Sequence, residues 1–171
     1  MKIVAALKDS KFQWDSRPAI RGFEGEVRLD ADAIESSSLR FSIDPSALDV
    51  PQEMNSKDRR EMEKVMKEEV LETSRFPEIV FESAKVTGEQ SSEGNYRVNI
   101  SGKLTMHGET QTETVSAQVS VNGQKLHAHG DFTLLQTDYG IKPYSAAAGG
   151  LKLKDELKFS FDLVARQASD Q

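Results

Sequence analysis

Apolar and polar residues alternate along much of the chain, most regularly between Tyr96 and His107. In this segment the even positions are apolar or glycine and the odd positions are polar, which is the pattern of a half-buried β-strand. Gly102 lies in the middle of the segment, where a glycine indicates a bend or bulge of the kind that barrel closure often requires. The segment therefore predicts a strand with one face in the core.

The same alternation continues beyond the turn at Gly108. Apolar residues or glycine recur at every second position in two more segments, which run from Val115 to Val121 and from Leu126 to Leu134. Asn122-Gly123 separates them, and this dipeptide is a strong hairpin signal because both residues tolerate positive φ. The three segments together predict an antiparallel meander.

Further alternating segments lie on both sides of this meander. At the C-terminal end the apolar positions are Leu157, Phe159, Phe161, Leu163 and Ala165. Earlier in the chain they are Phe12 with Trp14, Val27 with Leu29, Leu39 with Phe41 and Ile43, and Ile79 with Phe81. The count reaches about eight strands, which predicts an all-β fold that closes as an antiparallel barrel.

One segment, residues 56–73, has helical instead of strand periodicity. Met62, Val65, Met66 and Val70 recur at helical spacing among charged residues, which predicts an amphipathic helix of about four turns. A single helix among strands excludes repeated βαβ units. With 171 residues and no internal repeat, the chain is predicted to form one domain over residues 1–171.

The charge and composition of the chain limit the classes of partner that it is expected to bind. A formal net charge of −6 argues against nucleic acid and against anionic membrane surfaces, because both attract clustered lysine and arginine. The chain has no cysteine, which excludes disulfides and thiolate metal sites. No apolar run approaches the roughly 20 residues that cross a bilayer, so stable membrane insertion is not expected.

The N-terminus bears on the cellular compartment. Its apolar run, Ile3 to Leu7, is shorter than the roughly 7 to 15 residues of a signal-peptide core. The sequence therefore predicts a soluble cytoplasmic protein, or a periplasmic one if a leader has been removed. The oligomeric state stays open, a homodimer included.

Five short motifs, in order along the chain, resemble those of the YceI-like family of polyisoprenoid-binding proteins. They are Asp9–Trp14, Gly22–Gly25, Phe76–Ser83, Gly102–Thr110 and Asp138–Ile141. The third has an aromatic residue and a proline before Ile-x-Phe-x-Ser, and the fourth reads Gly-x-Leu-Thr-Met-His-Gly-x-Thr. In the first, Asp9 stands where the family has histidine.

The resemblance implies an eight-stranded antiparallel lipocalin-like β-barrel with one amphipathic α-helix beside the barrel mouth. It also implies an apolar tunnel that takes a polyisoprenoid, a quinone or another fatty-acid-like lipid. The side chains expected to line it are Phe12, Trp14, Phe23, Phe41, Met62, Met66, Phe81, Met106, Phe132, Phe159 and Phe161. From the pattern alone, the same residues could instead fill an ordinary core, since eight strands enclose little more space than side chains occupy.

His107 and Tyr139 are candidates for contact with a ligand head group at the barrel mouth. His107 falls on the polar phase of its strand, but it stands beside Gly108, where it could turn toward the mouth. The alternative for His107 is a residue at a hairpin end with local hydrogen bonds.

Catalytic chemistry finds little support in the sequence. His127, His129 and Asp131 share one strand phase, as in a His-x-His metal site, but that phase is opposite to the apolar one and is expected to face solvent. The Gly-x-Ser-x-Gly elbow of serine hydrolases is absent. We therefore expect no catalytic residue, no metal and no cofactor apart from a bound lipid.

Three functions remain for comparison with the structure. The first is a carrier, buffer or stress-related binding protein for a long-chain apolar ligand. The second is a filled barrel that acts as an interaction or stress-response module without a lipid. The third, less favoured, is a metal-dependent enzyme that uses His127 and His129.

Overall fold

The computed structural model describes the backbone of residues 2–7, 11–14, 19–21, 23–49, 55–143 and 155–167. Within these ranges, side chains are described for residues 24–47, 55–143 and 155–167. This part of the chain is mostly β-structure with one α-helix. None of its helices has the length and apolar character needed to cross a lipid bilayer.

Eleven strands are described, and we number them in chain order. They are β1 (Lys2–Leu7), β2 (Lys11–Trp14), β3 (Ala19–Arg21), β4 (Phe23–Asp30), β5 (Ser38–Ile43), β6 (Leu48–Asp49), β7 (Ile79–Ser92), β8 (Asn95–Met106), β9 (Glu109–Asn122), β10 (Lys125–Leu135) and β11 (Glu156–Gln167). Seven of them, in the order β4-β5-β7-β8-β9-β10-β11, form a curled antiparallel half-barrel. The all-β class is therefore confirmed, while closure with eight strands stays a prediction.

The shorter strands pair along the outer strands of this half-barrel. The backbone of β1 pairs with β4, from Lys2 opposite Asp30 to Ala6 opposite Glu26. It also pairs with the end of β11, where Leu7 lies opposite Ala165. Next to it, β2 pairs with the middle of β11, and β3 joins β2 to β6.

Positions that alternate between apolar and polar in the sequence alternate between buried and more exposed in the structure. Along β8, Tyr96, Val98, Leu104 and Met106 are buried, whereas the polar residues between them are exposed or partly exposed. The partner strand β9 has the same inward phase, and Val98 lies opposite Ala117. The predicted meander β8-β9-β10 is confirmed, and Gly123 adopts a φ of 60° in the second hairpin turn.

Two glycines allow aromatic rings to lie flat against the inner face of the sheet. A Cβ at Gly102 would lie 2.6 Å from Cζ of Phe81, and one at Gly130 would lie 2.7 Å from Cζ of Phe161. The predicted irregularity at Gly102 occurs in the opposite strand, where the register shifts between Ser83 and Lys85. Glycine at these positions therefore permits close approach of a ring and the neighbouring strand.

The helix α1 runs from Ser56 to Val65 and continues as one π-helical turn, Met66–Val70. It begins at Asn55, whose side chain accepts a hydrogen bond of 2.9 Å from the backbone N–H of Asp58. It ends three residues before the predicted limit of residue 73, because Glu72 adopts a left-handed φ of 46°. The predicted helix is confirmed with this correction at its C-terminal end.

We predict that Gly130→Ala destabilises the protein. The added Cβ would lie 2.3 Å from the backbone oxygen of Ser116 as well as against Phe161, and both sheet neighbours would have to shift. Such overpacking costs about 1–3 kcal/mol, measurable by urea denaturation. The control is Thr133→Ala on the exposed face of the same strand, where the change should stay within about 0.5 kcal/mol. Equal effects of the two substitutions would contradict this explanation.

Candidate functional site

A cavity of about 490 Å³ lies inside the half-barrel. This volume is within the range of roughly 300–1,000 Å³ that is common for small-molecule sites. The described residues that line it are apolar with five exceptions, which are Arg28, Ser37, Ser38, Glu113 and Gln136. The cavity can therefore enclose an apolar group of considerable size and offers it few hydrogen-bonding partners.

The predicted tunnel residues converge on this cavity. All those whose side chains are described line it, and they are Phe41, Met62, Met66, Phe81, Met106, Phe132, Phe159 and Phe161. The side chains of Phe12, Trp14 and Phe23 lie outside the described residues. Residues from several strands and from the helix, which are far apart in the chain, thus surround one space.

Stacked aromatic rings stiffen the wall of the cavity. Phe41 and Phe81 stack with centroids 5.4 Å apart, and Phe132 stacks on Phe159 at 5.1 Å. Phe161 contacts Phe132 in a tilted arrangement at 6.4 Å. Offset aromatic pairs of this kind contribute about 0.5–1.5 kcal/mol each beyond their buried area.

The helix covers part of the cavity with flexible side chains. Met62 and Met66 line it, followed by Val70 and Leu71 at the end of the helix. Val70 and Leu71 are buried, whereas α1 itself has no buried residue. The helix is therefore anchored mainly through its C-terminal end, and segments with few buried contacts are those that open most easily.

A hydrogen-bonded cluster ties this end of the helix to the β8-β9 hairpin. His107 Nε2 lies 2.7 Å from Oε2 of Glu72, and His107 Nδ1 lies 3.1 Å from the backbone oxygen of Tyr139. Both partners of the ring are hydrogen-bond acceptors, one a carboxylate and the other a backbone carbonyl. The ring of His107 also packs against Phe76 at 4.4 Å between centroids.

The backbone of this cluster is strained at both ends of the Glu72–His107 contact. His107 adopts a φ of 54° and Glu72 a φ of 46°, which are left-handed values that side chains disfavour. Each such backbone conformation costs about 1–3 kcal/mol and persists only where surrounding contacts hold the residue in place. The contact of His107 with Glu72, the ion pair of Arg75 with Glu72 and the packing of His107 on Phe76 provide such surroundings.

The electrostatics of the cluster favour an ionised Glu72. A hydrogen bond from Arg75 at 2.9 Å, followed by the contact with His107, lowers the pKa of Glu72 below its ordinary value. Arg75 also lies over the ring of Phe76, 5.0 Å from its centroid. The carboxylate thus accepts hydrogen bonds from two basic side chains.

Tyr139 is fully buried and does not line the cavity, and neither does His107. The Tyr139 hydroxyl instead donates a hydrogen bond of 2.6 Å to Oε1 of Glu113, which does line the cavity. Burial, then the hydrogen bond to Glu113, raises the pKa of Tyr139 well above its ordinary value. Neither of the two predicted mouth residues therefore lines the cavity, and the hydrogen-bond partners of His107 lie 32 and 35 residues away in the chain instead of locally.

Sequence reasoning missed Glu113. Its position in the chain has the same parity as Val115 and Ala117, which places its side chain on the inward phase of β9. A charged residue on an apolar phase was the available signal. It is easily overlooked, because the strand ends nearby and polar residues are common there.

The histidines of β10 lie away from the cavity. His127 Nε2 contacts Oδ1 of Asp162 at 2.8 Å, and its ring lies 5.6 Å from that of His129. His129 and Asp131 are exposed. Within the described residues, no group of three or more histidine or acidic side chains is arranged to hold a metal ion.

We predict that Glu72→Gln destabilises the protein near neutral pH. Because the pKa of Glu72 is lowered in the folded protein, its ion pairs contribute stability above the ordinary pKa range, and this contribution is lost as the pH falls through the lowered pKa. The difference in unfolding midpoint between wild type and variant should thus be largest near pH 7 and shrink toward pH 3. Glu78→Gln, in an exposed position of the following segment, is the control and should show no such pH dependence. A Glu72→Gln difference that is constant with pH would exclude the ion pairs as its cause.

Solved structures with the same fold come from several bacteria. BcnA of Burkholderia cenocepacia superposes with a TM-score of 0.70 at 20% identity, and the match covers 96% of each chain. The YceI protein of Campylobacter jejuni gives a TM-score of 0.68 at 11% identity, over 91% of this chain and 86% of that one. A polyisoprenoid binding domain from Saccharophagus degradans, described as implicated in plant cell wall breakdown, gives 0.65 at 10% identity, over 98% and 94%. At these identities the likeness shows the fold alone.

Sequence comparison identifies the family. A UPF0312 protein of Vibrio cholerae is 26% identical over 132 residues, which is 74% of this chain. The matched region spans only 65% of that protein's length. Residues 5–165 match the YceI-like domain family. Because that match covers nearly the whole sequence, the chain belongs to the YceI-like family.

Proposed function

We propose that this protein binds one long-chain apolar ligand in its cavity and acts as a carrier or buffer rather than as an enzyme. The observation that carries the proposal is the cavity of about 490 Å³ with an almost wholly apolar lining. The solved relative that is described as a polyisoprenoid binding domain supports the same class of ligand. Polyisoprenoids, quinones and other lipids all have tails of this character.

The proposal includes closure of the sheet around the ligand. The pairings of β1 with both β4 and β11 support an eight-stranded ring, in the order β1-β4-β5-β7-β8-β9-β10-β11. Closure would remove both sheet edges and separate the cavity from water on all sides except its ends. An apolar chain inside would then be shielded along its length.

The volume of the cavity limits the length of the ligand's apolar tail. At roughly 30 Å³ per methylene-sized group, taken from the volume share of a water molecule, the cavity accommodates about 16 heavy atoms. This corresponds to about three isoprene units or to one acyl chain of common length. A longer polyisoprenoid would have to leave its remaining units outside.

Energetics favour an occupied cavity. Burial at about 0.8 kcal/mol per CH₂ gives about 13 kcal/mol gross for a chain that fills the space, against association costs of about 4–15 kcal/mol.

We predict that affinity for straight-chain alcohols rises with chain length and then stops rising. Each added CH₂ buries more apolar surface until the cavity is full, at about 16 carbons, and later carbons remain in water. Titration calorimetry with a series of alcohols of increasing length would show this plateau. Mass spectrometry of an organic extract of the purified protein would identify a resident ligand. If no member of the series binds and the extract is free of lipid, the proposal is wrong.

We predict that Ala128→Leu reduces ligand binding without loss of stability. Ala128 lines the cavity, so three added carbon atoms can occupy space that the ligand would use. Uptake of the longest alcohols should fall, and the unfolding midpoint of the ligand-free protein should stay the same or rise.

The matched control is Ala165→Leu. Ala165 is buried with 0% exposure and does not line the cavity, so the same substitution meets packed neighbours. Overpacking there should cost about 1–3 kcal/mol. If Ala128→Leu were as destabilising as Ala165→Leu, the interior would be a filled core, and the protein an interaction module without a lipid.

A further inference from the structure

One of the five polar or charged residues that line the cavity carries a carboxylate. Glu113 lies in β9 two residues before Val115, on the same inward phase, and lines the cavity. Its partner across the sheet is Gly102, which has no side chain to cover it. A group placed in this way is costly unless something binds it, since a polar group in apolar surroundings loses its contacts with water.

One of the two carboxylate oxygens is held in place by the protein. The Tyr139 hydroxyl, itself fully buried, donates to Oε1 at 2.6 Å. Because burial keeps the phenol protonated, Tyr139 is the donor and Glu113 the acceptor. The bond fixes the orientation of the carboxylate and thus the direction in which Oε2 points.

The second oxygen is available. The structure gives Oε2 of Glu113 no hydrogen bond and no ion pair with any described residue. Every buried side-chain nitrogen or oxygen of the described residues has a partner, so Oε2 is not sealed among protein atoms. Oε2 is therefore an accessible acceptor on a residue that lines the cavity.

The charge of the site determines which head groups it accepts. Among the described residues, no lysine or arginine forms an ion pair with Glu113, and Arg28, which also lines the cavity, pairs with Glu26 at 2.6 Å. An ammonium, hydroxyl or amide group can donate to Oε2, whereas a carboxylate or phosphate would face a like charge in a poorly hydrated space. Repulsion of the wrong head group is a common source of specificity.

We propose that Glu113, positioned by Tyr139, is the head-group site of this protein and selects lipids whose polar end donates a hydrogen bond, namely amines, alcohols or amides, over anionic lipids. This inference rests on the proposed function, since it concerns the polar end of a ligand whose apolar tail occupies the cavity. The apolar lining of the cavity then selects the length of the tail, and Glu113 selects the head group.

The test compares three probes that share one tail and differ in charge, which are hexadecylamine, hexadecanol and palmitate. At pH 8 the wild-type protein should bind the amine and the alcohol at least about tenfold more tightly than palmitate, because a hydrogen bond to a charged group is worth about 1.5–3 kcal/mol. In Glu113→Gln the amide still accepts from Tyr139 but carries no charge. Palmitate should then gain about tenfold in affinity and the amine should lose a similar factor.

The control is Glu109→Gln, in the same strand but exposed and outside the cavity lining, and it should leave all three affinities unchanged. Tyr139→Phe removes the donor that fixes Oε1 and should reduce the preference for the amine without abolishing it, because the carboxylate remains but is no longer held in place. If Glu113→Gln does not fold, as judged by its thermal unfolding, the wild-type ratio of amine to palmitate decides by itself.

The outcomes separate the two proposals. Equal wild-type affinities for the three probes, or an unchanged ratio in a folded Glu113→Gln variant, would overturn the head-group site and leave chain binding intact. Failure of all three probes to bind would reject chain binding and the head-group site together.

Discussion

The antiparallel register is the constraint on which the rest of this structure depends. Side chains alternate between the two faces of a strand, so a shift of one residue would turn every inward group outward. The long ladders β8-β9 and β10-β11 hold that register without a shift over eleven or more residue pairs each, whereas β7-β8 shifts its register between Ser83 and Lys85. Gly102 and Gly130 belong to the same constraint, since only glycine lets Phe81 and Phe161 lie across the inner face. An apolar interior follows from this pairing, and so does the position of the single inward carboxylate of β9.

Three of the five motifs that resemble the family meet at one end of the half-barrel. Phe76 comes from one motif, His107 and Gly108 from a second, and Tyr139 from a third, and all are in contact through the ring of His107 or its hydrogen bonds. A Cβ at Gly108 would lie 2.8 Å from Phe76, which explains the glycine as well as its φ of 79°. Their shared role in this structure is to hold the end of the helix against the sheet. This contact lies beside the cavity, which connects the family signature to the binding space without making its residues ligand contacts.

The apolar lining of the cavity and the carboxylate of Glu113 affect the choice of ligand in different ways. Apolar burial is roughly proportional to area and has no direction, so it sorts ligands mainly by length and shape. Glu113 adds a directional contact, because Tyr139 fixes one of its oxygens. The exposed histidine pair of β10, with Asp162 beside His127, belongs to the outer surface and contributes to neither property.

The sequence by itself predicted eight of the eleven described strands and the helix, because these follow from local periodicity, and it missed β1, β3 and β6. It placed Phe41, Phe81, Phe132, Phe159 and Phe161 on inward faces, and the structure gathers them around one cavity. It did not reveal whether that interior was filled, since a cavity depends on how strands distant in the chain pack together. Nor did it reveal the pairing of His107 with Glu72, 35 residues apart, or of Tyr139 with Glu113, 26 residues apart. The local pattern of apolar and polar residues contains no information about partners that are distant in the sequence. Only the tertiary structure decided them, because the distance between two side chains far apart in sequence is set by the register of the whole sheet.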